Sequence, residues 1–109
     1  MSDILSKIDS EVKENKIIIY MKGNKEAPQC GFSAAVVDVF NLLGVSYETR
    51  DVLQDNELRE GVKKYSNWPT IPQVFVGGKF VGGCDITRQF FQTGELKKLV
   101  DEAITAKKI

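Results

Sequence analysis

The amino-acid sequence predicts an α/β fold, a four-stranded mixed sheet flanked by helices, built as one domain over all 109 residues. Three observations lead there: a short apolar run at 17–20, apolar residues at helical spacing on both sides of it, and a Gly77-Gly78 pair between two strand-like segments.

Taken in order, Ile4, Leu5, Ile8 and Val12 recur at helical spacing up to Asn15-Lys16, and Ile17-Ile18-Ile19-Tyr20 follows as the run expected of a central strand. Lys22 to Gln29 contains Gly23, Asn24 and Pro28 and reads as a loop. Val36, Val39, Phe40 and Leu43 then stand at offsets 0, 3, 4 and 7, with Gly44 closing the helix, so Cys30 falls at a helix N-terminus. Val45, Tyr47 and Thr49 alternate as a second strand, and Leu58, Val62 and Tyr65 mark one face of a helix ending before Trp68-Pro69. A strand–helix–strand crossover of this length implies a parallel pair. Gln73 to Val76 and Lys79 to Val81 flank Gly77-Gly78 as an antiparallel hairpin. Asp85 is placed to cap a helix through Phe91, and Leu96, Leu99, Val100, Ala103 and Ile104 form the apolar stripe of a closing helix.

Composition narrows the function. Hydrophobic residues make up 42%, and a chain this size buries roughly 60–65% of its unfolded surface, enough for one core. Fifteen basic and fifteen acidic residues cancel, so no net field favours nucleic acid or an anionic membrane, and small molecules or proteins are the expected partners. Histidine is absent, which excludes Cys-His and Ser-His hydrolysis. Two cysteines are too few for a structural zinc site or a secreted disulfide scaffold. The start of the chain has neither a basic n-region nor an apolar h-region, and no apolar run approaches the roughly 20 residues of a membrane span, so a cytoplasmic protein is expected, or a mitochondrial one trimmed of its transit peptide.

Cys30-Gly31-Phe32-Ser33 carries the chemistry, because Ser33 stands where a dithiol oxidoreductase has its second sulfur. Cys30 can form a mixed disulfide or ligate a metal, but it cannot close a local disulfide. Helix N–H groups and a nearby Lys22 favour its thiolate, making it a nucleophile or soft-metal ligand. In Trp68-Pro69-Thr70-Ile71-Pro72 the second proline leads into a strand. A cis Ile71–Pro72 bond would present the Ile71 backbone N–H and C=O to an extended peptide; a plain loop and a polyproline ligand are the competing readings. Gly82-Gly83-Cys84-Asp85 can cradle a carboxylate while Asp85 accepts from an amine, the alternative being a simple Asp cap with Cys84 as a small core residue. Lys22 and Arg59 offer cations for a second carboxylate, although Arg59 alone reads as a solvated helix residue. These features describe a short extended ligand with a carboxylate at one end, an amino acid at the other and a sulfur facing Cys30. Glutathione fits that description.

Lys22, Cys30-Gly31-Phe32-Ser33, Trp68-Pro69-Thr70-Ile71-Pro72-Gln73 and Gly82-Gly83-Cys84-Asp85 together resemble the monothiol glutaredoxins, in particular the single-domain type of bacteria and mitochondria, over about Ile4 to Ala106. The resemblance implies a thioredoxin-like fold, glutathione binding, and a [2Fe-2S] cluster bridging a homodimer and handed to apo iron-sulfur acceptor proteins, with a BolA-type protein as partner. It implies Cys30 as the catalytic cysteine and cluster ligand, Lys22 and Arg59 on the glycine carboxylate of glutathione, Ile71 and Pro72 along its backbone, and Gly83, Cys84 and Asp85 on its γ-glutamyl end. The chain departs from the family at Asn24-Lys25, where many members show Thr-Pro, and at Ile71, where some carry Phe; the first bears on loop stiffness beside Cys30. A ligand count agrees, since an all-thiolate [2Fe-2S] cluster needs four sulfurs and one Cys30 per chain supplies two in a dimer. Two glutathiones complete the set; a competing count uses Cys30 and Cys84 of both chains. The competing functions are a weak glutathione-dependent thiol-disulfide oxidoreductase and a non-catalytic partner-binding module.

Overall fold

The structure, a computed structural model, describes residues 3–106. Residues 1, 2 and 107–109 of the expected domain lie outside the described residues. The elements follow in the order α1 (Asp3–Glu14), β1 (Ile17–Met21), α2 (Gly31–Leu43), β2 (Glu48–Asp51), α3 (Asn56–Ser66), β3 (Gln73–Val76), β4 (Lys79–Gly82), α4 (Cys84–Thr93) and α5 (Glu95–Thr105).

The isoleucine run forms β1, and all five of its side chains are buried. Side chains alternate across a pleated strand, so a strand apolar at every position needs cover on both faces. Ile17, Ile19 and Met21 enter one core with Val36 and Phe40 of α2 and Leu96 and Val100 of α5. Ile18 and Tyr20 enter a second with Ile8 and Val12 of α1 and Leu58 and Val62 of α3. Each such side chain contributes roughly 1.5–3 kcal/mol on burial, which makes β1 the best-anchored element.

The sheet order is β2-β1-β3-β4. The expected parallel pair is β1 with β2, joined through α2. The second crossover, through α3, delivers β3 antiparallel on the far side of β1. Gly77 and Gly78, with φ of 62° and 81°, make the two-residue turn to β4 that needs positive φ at both positions.

Three expectations are corrected. The second strand does not begin at Val45: its ladder starts with Glu48 opposite Ile18, and the Tyr47 carbonyl instead accepts from Lys25 Nζ at 2.6 Å. Asp85 is not the cap of α4; Gly83 occupies that place in extended conformation and Asp85 lies in the first turn. Ile104 does not join the apolar stripe of α5, whose buried members are Leu96, Val100 and Ala103; Ile104 stays 41% exposed.

Helices α1 and α3 cross at Gly61, a buried glycine inside a helix. An added Cβ there would lie 3.0 Å from Ile4 Cγ1 and 3.1 Å from Ile8 Cδ1. Replacing Gly61 by Leu is expected to wedge the helices apart and lower stability by roughly 1–3 kcal/mol, read as a lower urea midpoint.

Candidate functional site

Because β1 and β2 are parallel, their C-terminal ends and the loops that follow lie along one edge of the sheet. The loop after β1 is held by side chains. The Gly23 N–H donates to Asp51 Oδ1 at 2.9 Å, and Asn24 Oδ1 accepts from the N–H groups of Glu26 and Ala27 at 3.0 and 2.9 Å. Lys25 donates to the Tyr47 carbonyl while its ammonium stands 4.9 Å from the Tyr47 ring centroid. Where the family pattern has proline, a local Asn turn and this lysine tether supply the restraint.

The loop delivers Cys30 as the N-cap of α2, with φ of −154°. Its Sγ accepts from the Ser33 N–H at 3.4 Å and lies 3.4 Å from Ser33 Oγ. Ser33, wholly buried, also accepts from the Lys22 N–H at 3.2 Å. One hydroxyl therefore ties the thiol to the backbone of the lysine beside it. Burial pushes the Cys30 thiol up, but the Ser33 hydroxyl, the N–H groups of Ser33 and Phe32 and the Lys22 charge together hold it below the usual thiol value.

Cys84 contrasts with it. It is buried in the core cluster on the α2 side, unpaired, and burial pushes its thiol up, with Asp85 and Cys30 adding to the rise against the opposing pull of Arg88. Of the two sulfurs only Cys30 is prepared as a thiolate.

Beside Cys30 opens a cavity of about 600 Å³. Lys22, Arg59, Ile71, Pro72, Gly83, Cys84 and Asp85, scattered from position 22 to position 85 of the sequence, all line it. Cys30 is not part of the wall, although Phe32, two residues on, is, with its ring 65% exposed. The Ile71–Pro72 bond is cis. Among the described residues Lys22 and Arg59 form no ion pair, and Arg59 Nε is buried without a hydrogen-bond partner. The wall also includes the start of α4, where Gly83 brings no side-chain cap, leaving backbone N–H groups free for an acceptor.

Sequence reasoning gave no site role to Phe32, Trp68, Pro69 and Thr70, which lie inside the quoted motifs, and missed Lys63 and Ile86 altogether. Lys63 was findable, since it follows Arg59 by four positions and so shares its face of α3. Ile86 gave no signal beyond a generic apolar residue in a helix.

A family model for glutaredoxins matches residues 17–81. The chain belongs to the glutaredoxin family. It is 52% identical over 101 residues to a monothiol glutaredoxin of Synechocystis, with 93% of this chain and 94% of that one covered, and 52% identical over 93 residues to monothiol glutaredoxin 2 of Rickettsia conorii, with 85% and 87% covered. With these relatives it is a monothiol glutaredoxin. Reduced poplar apo GrxS14 superposes at a TM-score of 0.83 with 42% identity, covering 93% of both chains. A buckwheat glutaredoxin–glutathione complex superposes at 0.84 with 26% identity, covering 96% of this chain and 94% of that one. This glutaredoxin thus has the thioredoxin-like fold. Its relatives include the chloroplastic monothiol glutaredoxin-S14 of Arabidopsis thaliana, so similarity alone does not select the cytoplasm; no described helix is long and apolar enough to cross a membrane.

Replacing Ser33 by Ala removes the hydroxyl that favours the Cys30 thiolate. The pH profile of Cys30 alkylation by iodoacetamide is expected to move to higher pH, with a slower rate at neutral pH.

Proposed function

We propose that this glutaredoxin, acting as one domain over its whole length, binds glutathione in the cavity beside Cys30. Two such protomers hold a [2Fe-2S] cluster between them as cargo for apo iron-sulfur acceptor proteins. The observation that carries the reading is a single prepared thiolate next to a cavity whose wall includes both cations outside any ion pair among the described residues and the uncapped start of a helix.

Glutathione is a γ-linked tripeptide, a carboxylate at each end and a thiol between them. Lys22 and Arg59, which form no ion pair among the described residues, suit its glycine carboxylate. Ile71, which enters no backbone hydrogen bond of the described loops, suits pairing with its peptide backbone, with Pro72 holding the edge in place. The α4 start at Gly83 and Cys84 suits the α-carboxylate of the γ-glutamyl end, and Asp85 its ammonium. The complex seen for the buckwheat relative supports the same ligand here.

The donor set fits the cargo. No group of three or more His, Cys, Asp or Glu among the described residues is arranged to hold a metal alone. Cys30 supplies one thiolate per protomer and glutathione a second, so a dimer reaches the four sulfurs of a [2Fe-2S] cluster. Burial and a raised thiol make Cys84 a poor ligand. A BolA-type protein, the partner suggested by the family resemblance, belongs to the same reading.

A second reading is favoured by the lowered Cys30 thiol. The Cys30 thiolate attacks the glutathionyl sulfur of a mixed disulfide, the substrate thiolate leaves, and Cys30 carries the glutathionyl group. A second glutathione thiolate then attacks that group, forming glutathione disulfide and restoring the Cys30 thiolate. Robust turnover of a glutathionylated substrate by protein that never holds iron would favour this reading over the carrier.

Anaerobic reconstitution with iron, sulfide and glutathione decides the carrier reading. Visible cluster absorption in a dimeric fraction is expected for the wild type and for Cys84→Ser, and is expected to vanish for Cys30→Ser and when glutathione is omitted. Colour that survives loss of Cys30 and of glutathione would refute it. Arg59→Ala is expected to weaken glutathione binding roughly tenfold, with an affinity in the wild type that falls as salt is raised.

A further inference from the structure

The wall formed by Trp68 to Pro72 contains two prolines and so lacks two of its backbone N–H groups. Among the described residues no backbone–backbone hydrogen bond closes it on itself. The Trp68 N–H donates to the Lys63 carbonyl at 3.1 Å and to Ser66 Oγ at 3.1 Å, which fixes where the wall leaves α3. Trp68 also packs against the Phe80 ring and Ile71 against the core, and the wall's other hydrogen bonds among the described residues come from Gln73. Side-chain Nε2 of this residue donates to the Trp68 carbonyl at 3.0 Å and to the Thr70 carbonyl at 3.1 Å, one hydrogen to each side of Pro69.

Gln73 is fully buried, a rare place for a carboxamide, and it is the first residue of β3, paired with Tyr20 of β1. Its Oε1 has no hydrogen-bond partner among the described residues, so the donor half of the amide alone sets its orientation. No apolar side chain and no carboxylate of the same length could serve both carbonyls. With those two carbonyls held, the Ile71 backbone between Thr70 and Pro72 enters no backbone hydrogen bond of the described loops, and Ile71 is one of the residues that line the cavity.

We infer that Gln73 is a positioning residue, bolting the Trp68–Pro72 wall to the central strands and thereby aiming the Ile71 N–H and C=O at the ligand's backbone. The inference rests on the glutathione reading above. Gln73 itself touches no ligand; it acts through the wall.

Gln73→Met keeps the length and removes both donors. Glutathione affinity by calorimetric titration is expected to fall about tenfold, while Cys30 alkylation by iodoacetamide, which needs no pairing edge, stays within about twofold. A measurement on the wild type does not depend on the variant folding: both Gln73 side-chain amide protons are expected to exchange slowly with water and to shift when glutathione is added. Fast exchange of those protons overturns the assignment, as does unchanged affinity in the variant. Equal losses of affinity and alkylation rate also overturn it, because they mark general loss of structure. A wild-type protein that binds no glutathione overturns the parent reading and this one together, whereas the other failures leave the parent reading standing.

Discussion

A strand with no wet face is the constraint on which the rest depends. Every side chain of β1 is enclosed, by α2 and α5 below and by α1 and α3 above, so the strand cannot slide by one residue without exchanging its two cores. Its C-terminal end therefore has a fixed position. Lys22 leaves from that end, its backbone N–H meets the Ser33 hydroxyl, and Ser33 meets the Cys30 sulfur. Sheet register thus becomes thiol position through two hydrogen bonds.

The two cysteines show how placement divides chemistry. Cys30 caps a helix, where N–H groups, a hydroxyl and a lysine outweigh the cost of partial burial. Cys84 starts a different helix, but packs into the core, and for it burial wins. The hydroxyl of Ser33 does something a second thiol there could not do as well. It accepts from one backbone group and still has a hydrogen to give the thiolate, with no rival sulfur to form a bond.

Much of this was legible in the sequence, because the signals were local. A run of isoleucines, a glycine pair between strand-like segments and apolar offsets in helices each report on neighbours within a few residues. Likewise Cys30-Gly31-Phe32-Ser33, Ile71-Pro72 and Gly83-Cys84-Asp85 are contiguous motifs: Phe32, Ile71, Pro72, Gly83, Cys84 and Asp85 line one cavity, and Cys30 caps the helix beside it. What could not be read depends on contacts distant in sequence. The alternation through Val45 and Tyr47 looked like strand, but a carbonyl taken by Lys25 keeps Tyr47 out of the ladder. Asp85 looked like a cap because the sequence does not show that Gly83 takes the extended conformation one turn edge earlier. The two bonds of Gln73 join a buried side chain to carbonyls across a proline, which no spacing rule encodes.

At Asn24-Lys25 the loop before Cys30 obtains its order from an asparagine turn and a lysine seated on a tyrosine, and its pyrrolidine ring comes only later, at Pro28. A ring restricts the chain before folding begins, whereas these contacts exist only afterwards, so the conformational entropy of Asn24 and Lys25 is lost at the moment of folding. Order of this kind is revocable. Heat, or any chemistry that neutralises the lysine ammonium, slackens the approach to the nucleophile while leaving the enclosed strand beneath it undisturbed.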